Sequence, residues 1–137
     1  MLKRIYNWFR SRHMYVIADA SDNSITLSRS LFRHMGGLDL DQAKVFVFKI
    51  SSHDKQPVYA FTINPSFEQE TQLADIQYNS KYKTIGFETL NPTVNRIFYD
   101  YGLEPLIKVK LTVKPRKAGD YDYYEILPPA PQAVKPS

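Results

Sequence analysis

One order of segments occurs twice in this chain, and that repetition constrains the fold more than any single residue does. Ser24-Ile25-Thr26-Leu27 leads into Leu31-Phe32-Arg33-His34-Met35-Gly36, then Val45-Phe46-Val47-Phe48, then Phe61-Thr62-Ile63-Asn64-Pro65. About sixty residues later, Thr84-Ile85-Gly86-Phe87 leads into Ile97-Phe98-Tyr99-Asp100-Tyr101-Gly102, then Ile107-Lys108-Val109-Lys110-Leu111, then Tyr124-Glu125-Ile126-Leu127-Pro128. Order and spacing agree better than identities, the pattern an old internal duplication leaves behind. Each unit reads strand–strand–helix–strand–strand. A unit of that size cannot hide its own apolar face, so two are expected to complete one core about a pseudo-twofold axis. The expected class is α+β: two β-β-α-β-β repeats forming one mainly antiparallel, barrel-like core.

The first unit is expected over 14–65. Tyr15 to Ala20 and Ile25 to Leu27 are strand-like across the turn residues Ser21-Asp22-Asn23. Ser28 or Ser30 caps a short helix that stops at Gly36-Gly37. Val45 to Ile50 and Val58 to Ile63 then pair across a 51–57 turn. A polar connector over 66–72 leads to the second unit, over 73–128. There Leu73 to Tyr78 and Lys83 to Phe87 flank Asn79-Ser80-Lys81, and Asn91-Pro92 starts a helix. That helix carries Val94, Ile97, Phe98 and Tyr101 on one face and ends at Gly102. Ile107, Val109, Leu111 and Val113 alternate with Lys108, Lys110, Thr112 and Lys114, which marks a half-buried strand. A turn over 116–120 returns as Tyr121 to Leu127. Residues 129–137 are proline-rich tail.

Ahead of the first unit, residues 1–13 read as a short amphipathic helix. Leu2, Ile5, Trp8 and Phe9 share a face among Lys3, Arg4, Arg10 and Arg12. This segment accounts for the whole net charge of +4, because the other 14 bases are matched by 14 acids. The body is therefore neutral, and any anion-binding surface on it must come from how charge is distributed. The chain has no cysteine, which excludes disulfides and thiolate metal sites. It has no apolar run long enough to span a membrane and no secretory h-region, so a cytoplasmic protein without integral membrane association is expected. His13, His34 and His53 lack metal-ligand spacing. There is no nucleophile elbow, phosphate-cradling glycine loop or dinucleotide fingerprint. No enzyme activity and no cofactor are expected.

The stretch Asn23 to Leu38, followed by Lys44-Val45-Phe46-Val47-Phe48, resembles the AbrB/SpoVT swapped-hairpin family of DNA-binding regulators. That family has a strand ending in an Ile-Thr-Leu step, a short Leu/Arg-containing helix closing on Gly-Leu, then an aliphatic strand. The resemblance implies interleaved hairpins, here in a tandem arrangement similar to that of MraZ-like proteins, and DNA contacts from cations near the first hairpin and helix of each unit. The first hairpin offers Asp19 and Asp22, with Arg29 and Arg33 on its helix. The second offers Lys81 and Lys83, with Arg96 on its helix.

A second set of cations, Lys108, Lys110, Lys114, Arg116 and Lys117, lies on the last hairpin beside Tyr121 and Tyr123. Cations beside aromatic faces can hold a phosphate backbone and stack bases. The function expected from the sequence is a nucleic-acid-binding regulator, with DNA as its partner, built as a fused pseudo-dimer. The alternative is a non-catalytic protein-interaction or assembly module, with a protein partner or self-association.

Overall fold

A computed structural model describes residues 14–36, 38–52, 55–65, 73–90 and 92–129. The leader, the 66–72 connector and the end of the proline-rich tail lie outside the described residues, as do His13, His53 and Asn91.

The strands are β1 (Tyr15–Asp19), β2 (Ser24–Leu27), β3 (Lys44–Ser52), β4 (Lys55–Ile63), β5 (Leu73–Asp75), β6 (Gln77–Asn79), β7 (Thr84–Glu88), β8 (Lys108–Ala118) and β9 (Tyr121–Ile126). Among the described residues, the helices α1 (Arg29–His34) and α2 (Thr93–Asp100) follow β2 and β7. All nine strands join one antiparallel sheet in the order β5-β3-β4-β9-β8-β1-β2-β7-β6. The outermost strands of that order, β5 and β6, are separated in sequence by Ile76 alone. The sheet therefore curls round until its ends nearly meet, as a barrel does.

Alternation decides what faces inward. Val16 and Ala18 of β1, Ile25 and Leu27 of β2, Leu111 and Val113 of β8, and Tyr124 and Ile126 of β9 are buried, while Lys108, Lys110, Thr112 and Lys114 are exposed. Leu31 from α1 and Val94, Ile97 and Phe98 from α2 join the same core cluster. The strand expected over Leu73 to Tyr78 is broken at Ile76, whose side chain is buried and whose N–H donates to the Ala43 carbonyl at 3.2 Å. Anchoring that one residue lets the chain leave β3 and join β7.

Two hairpins run further than the sequence suggested. β3 and β4 extend to Ser52 and from Lys55, and β8 continues through Pro115 to Ala118. Proline has no N–H to donate, so it is tolerated where a strand has only one partner. Pro115 satisfies this because the β1–β8 ladder ends at Tyr15–Thr112, and Pro57 because the β4–β9 ladder ends at Tyr59–Ile126. Beyond those points each hairpin projects as a two-stranded ribbon.

One helix cap is the local residue expected and the other is not. Of Ser28 and Ser30, Ser28 is the N-cap of α1, its hydroxyl accepting from Leu31 N–H at 3.2 Å. The residue at the N-cap of α2 is Pro92, which offers no side-chain cap. Its place is taken by Asn23 of the β1–β2 turn, whose Oδ1 accepts from Val94 N–H at 3.1 Å and from Thr89 Oγ1 at 2.6 Å. Asn23 stands in the left-handed region, with φ 57°, which asparagine tolerates.

Two close contacts hold the seams. At Gly86, a Cβ would lie 2.5 Å from the Ile25 carbonyl oxygen, so only glycine permits the approach of β7 to β2. On the other side, the buried Tyr101 hydroxyl accepts from Tyr59 N–H at 2.7 Å and donates to the Ile126 carbonyl, joining α2 to the end of the β4–β9 ladder. Burial pushes the Tyr101 phenol up to about 12 from 10.0.

Gly86→Ala is expected to destabilise the fold by roughly 3 kcal/mol, the scale of backbone-level overpacking, as a lowered midpoint in urea unfolding. A phenol whose ionisation is delayed by folding favours the native state below pH 10.0 and loses that contribution as pH rises toward 12. Alkaline titration monitored by circular dichroism is therefore expected to show falling stability across that window. Tyr101→Phe is expected to shallow the fall and to cost about 1 kcal/mol at neutral pH through the lost hydrogen bonds.

Candidate nucleic-acid interface

The β2–β7 ladder has two ends, and each collects a different set of groups. At one end, Leu27 pairs with Ile85, so Ser28 and the start of α1 emerge beside the β6–β7 turn. Ser28 N–H donates to the Tyr15 carbonyl at 3.0 Å, which fixes the start of α1 next to β1. The far end of α1 reaches the β8–β9 ribbon: the His34 ring meets Tyr124 edge-on with centroids 6.0 Å apart, and Tyr124 pairs with Pro115. Arg29, Arg33, Lys81, Lys83, Lys114, Arg116 and Lys117 thus gather at this end, all exposed.

The opposite end, where Ser24 pairs with Glu88, holds the β1–β2 turn and α2. Asp19, Asp22, Glu88 and Asp100 lie here, and so does Arg96, two residues beyond the Asn23-capped Val94. The Asp19 carboxyl is held below its ordinary range, first by the hydrogen bond from the Ser21 hydroxyl and to a smaller extent by the nearby Lys108 ammonium. Asp100 is likewise held low, first by the hydrogen bond it accepts from the Tyr59 hydroxyl at 2.6 Å and then by Lys49 at 3.3 Å.

The expected first set is therefore divided. Arg29, Arg33, Lys81 and Lys83 come together, and none of them makes an ion pair among the described residues. Arg96 is separated from them because α2 is anchored by the turn of the other hairpin. Along β8 the second set also divides. Lys108 sits level with Asp19 and belongs to the acidic end, and Lys110 lies over the Tyr15 ring at 4.0 Å in the middle. Lys114, Arg116 and Lys117 lie in the part of β8 around Pro115, whose ladder partner Tyr124 meets His34 of α1. Here the compensation is partial: Arg116 pairs with Glu125, and Lys117 is the ladder partner of Asp122.

The sequence pattern marked Tyr121 and Tyr123 beside the last-hairpin cations but gave no role to Tyr82. Tyr82 in the β6–β7 turn is 65% exposed with Lys81 Nζ 5.2 Å from its ring centroid, and Tyr121 at the β8–β9 turn is 55% exposed. The signal was present, since a turn reading Lys81-Tyr82-Lys83 alternates cation and ring. Such a surface can neutralise phosphates with its cations and offer flat faces to unstacked bases.

Among the described residues, no group of three or more His, Asp or Glu is arranged to hold a metal ion, and no helix is long and apolar enough to cross a membrane. Asp39 and Asp41 form a solvent-exposed turn in which the Asp41 N–H donates to Asp39 Oδ1 at 3.1 Å. Compared with known proteins, the chain matches no family model, no curated protein and no solved structure.

Removing an acid from the cation-rich end exposes that charge without adding a new group. Glu125→Gln is expected to delay elution from a heparin column to higher salt, whereas Glu88→Gln, at the acidic end, is expected to shift elution less.

Proposed function

We propose that the chain is an internally duplicated, AbrB/SpoVT-like swapped-hairpin barrel that acts as a cytoplasmic nucleic-acid-binding regulator, with the contact surface on the α1 end alone. The duplication is supported by register. With β5 and β6 taken as one strand, exchanging the halves turns the β1–β8 seam into β5–β3 and returns β2–β7 and β4–β9 to themselves. Within those two seams, the matched residues Thr26 and Gly86 are each other's ladder partners, and so are Phe61 and Tyr124. That is the behaviour of residues lying on a twofold axis.

The turns agree as well. Asp19 Oδ1 accepts from Ser21 N–H at 2.9 Å and Asn79 Oδ1 from Lys81 N–H at 3.0 Å. The residues closing the two turns, Asn23 and Lys83, have φ 57° and 54°. After the two helices, Gly36 and Gly102 take φ 78° and 67°. Each hairpin closes alike too, with Asn64 N–H donating to Lys44 O and Leu127 N–H to Thr112 O, both at 2.8 Å.

The observation that carries the functional reading is the segregation of charge on a neutral body. Two equivalent turns have diverged, one to Asp19 and Asp22, the other to Lys81 and Lys83. Lys81 and Lys83, which make no ion pair among the described residues, flank the exposed Tyr82, and that combination suits a phosphate backbone with accessible bases. The scaffold of a two-sided reader would then be used on one side.

Fluorescence anisotropy of the full chain with duplex and single-stranded DNA at two salt concentrations tests this. Affinity is expected to fall as salt rises. Lys83→Ala and Arg29→Ala are each expected to reduce the log–log salt slope by about 0.9 on duplex, or about 0.7 on single strands. Arg96→Ala is expected to leave the slope unchanged. Absent or salt-indifferent binding would remove the proposal.

A further inference from the structure

At the acidic end, away from the cation-rich surface, a cleft of about 310 Å³ opens between the outer side of α2 and the β3–β4 ribbon. We propose that this cleft binds a small mononucleotide, holding the phosphate at Arg96 and the base against Tyr99. The inference does not depend on the nucleic-acid reading, since its residues belong to the other end of the barrel.

The electrostatics single out Arg96. Asp100 is already engaged: the same carboxylate oxygen, Oδ2, accepts from the Tyr59 hydroxyl at 2.6 Å and lies 3.3 Å from Lys49 Nζ. Those contacts neutralise the acid and Lys49 against one another. Arg96, also lining the cleft, makes no ion pair among the described residues and is exposed. An incoming ligand therefore meets one uncompensated guanidinium, whose planar fork matches a phosphate.

The walls set the rest of the ligand. Tyr99 lies one helical turn from Arg96, so both side chains stand on the same side of α2, and Tyr99 is 74% exposed although it lines a cleft. A large ring left in water at such a place offers a stacking face. Pro92 and the buried Tyr59 ring add apolar wall, and the Asn95 amide supplies one acceptor and two donors for a base edge. The volume sits at the low end of ligand pockets, about 300 to 1,000 Å³, which suits one nucleotide and is too small for an oligomer.

Isothermal titration of the full chain with 5′-AMP, adenosine and inorganic phosphate tests the assignment. Saturable AMP binding is expected, with adenosine and phosphate each at least about tenfold weaker, because each lacks one of the two contacts. Arg96→Ala is expected to weaken AMP about tenfold or more while leaving adenosine unaffected, and Tyr99→Ala to weaken both. Both side chains are exposed and outside the core, so the variants retain the fold. Lys83→Ala, at the other end, is expected to leave AMP binding unchanged whether or not the DNA proposal holds. AMP binding no tighter than phosphate, or unmoved by Arg96→Ala, would overturn the assignment.

Discussion

Backbone hydrogen bonding between residues 14–65 and residues 73–128 is the constraint on which the rest of the structure depends. β1 needs β8, β2 needs β7, β3 needs β5 and β4 needs β9, so nearly every strand has one partner within its own part of the chain and one outside it. An N–H or C=O withdrawn from water without a partner costs more than a made bond returns. Neither part could bury its apolar strands alone without leaving such groups along two edges. The core follows from the same arrangement: Val16, Ile25, Leu31 and Phe61 of the first part pack in one cluster with Phe87, Ile97, Leu111 and Ile126 of the second.

Because the seams fix the helices, they also decide which charges meet. α1 rises from the β2 end that faces the β6–β7 turn, and α2 from the end that faces the β1–β2 turn. Each helix thus sits beside the turn of the other part. Arg29 therefore starts its helix at the end of the β6–β7 turn, and Arg96 lies at the end of the β1–β2 turn, where it lines the cleft with Lys49, Tyr59 and Asp100. Which charges share an end is thus decided by the topology of the strands and not by composition.

Much of this was legible from residue patterns. Alternation from Val109 to Lys114 marked β8 and its inward side, although Ile107, read as part of the same series, precedes the strand and is 61% exposed; the i, i+3, i+4, i+7 series from Val94 marked the buried face of α2. What local patterns could not reveal was set at a distance. The α2 cap comes from Asn23, 71 residues away from the Val94 N–H it receives. The break at Ile76 answers to the Ala43 carbonyl, and the single Asp75 before it was not enough to announce it. Pro57 and Pro115 read as strand terminators until their one-sided ladders are known. For the cation-rich surface, composition identified the side chains. Which of them share an end depended on pairings between residues far apart in sequence.

The single-residue step at Ile76 has a further consequence for how this molecule can meet others. Most open sheets carry two raw margins of unpaired peptide groups on which a foreign strand can be laid, and these are the usual starting points of runaway association. Here both margins are formed by consecutive three-residue strands that turn toward one another. At these margins a visitor finds little bare peptide to extend, and the one-partner strands that remain are those of the two projecting ribbons.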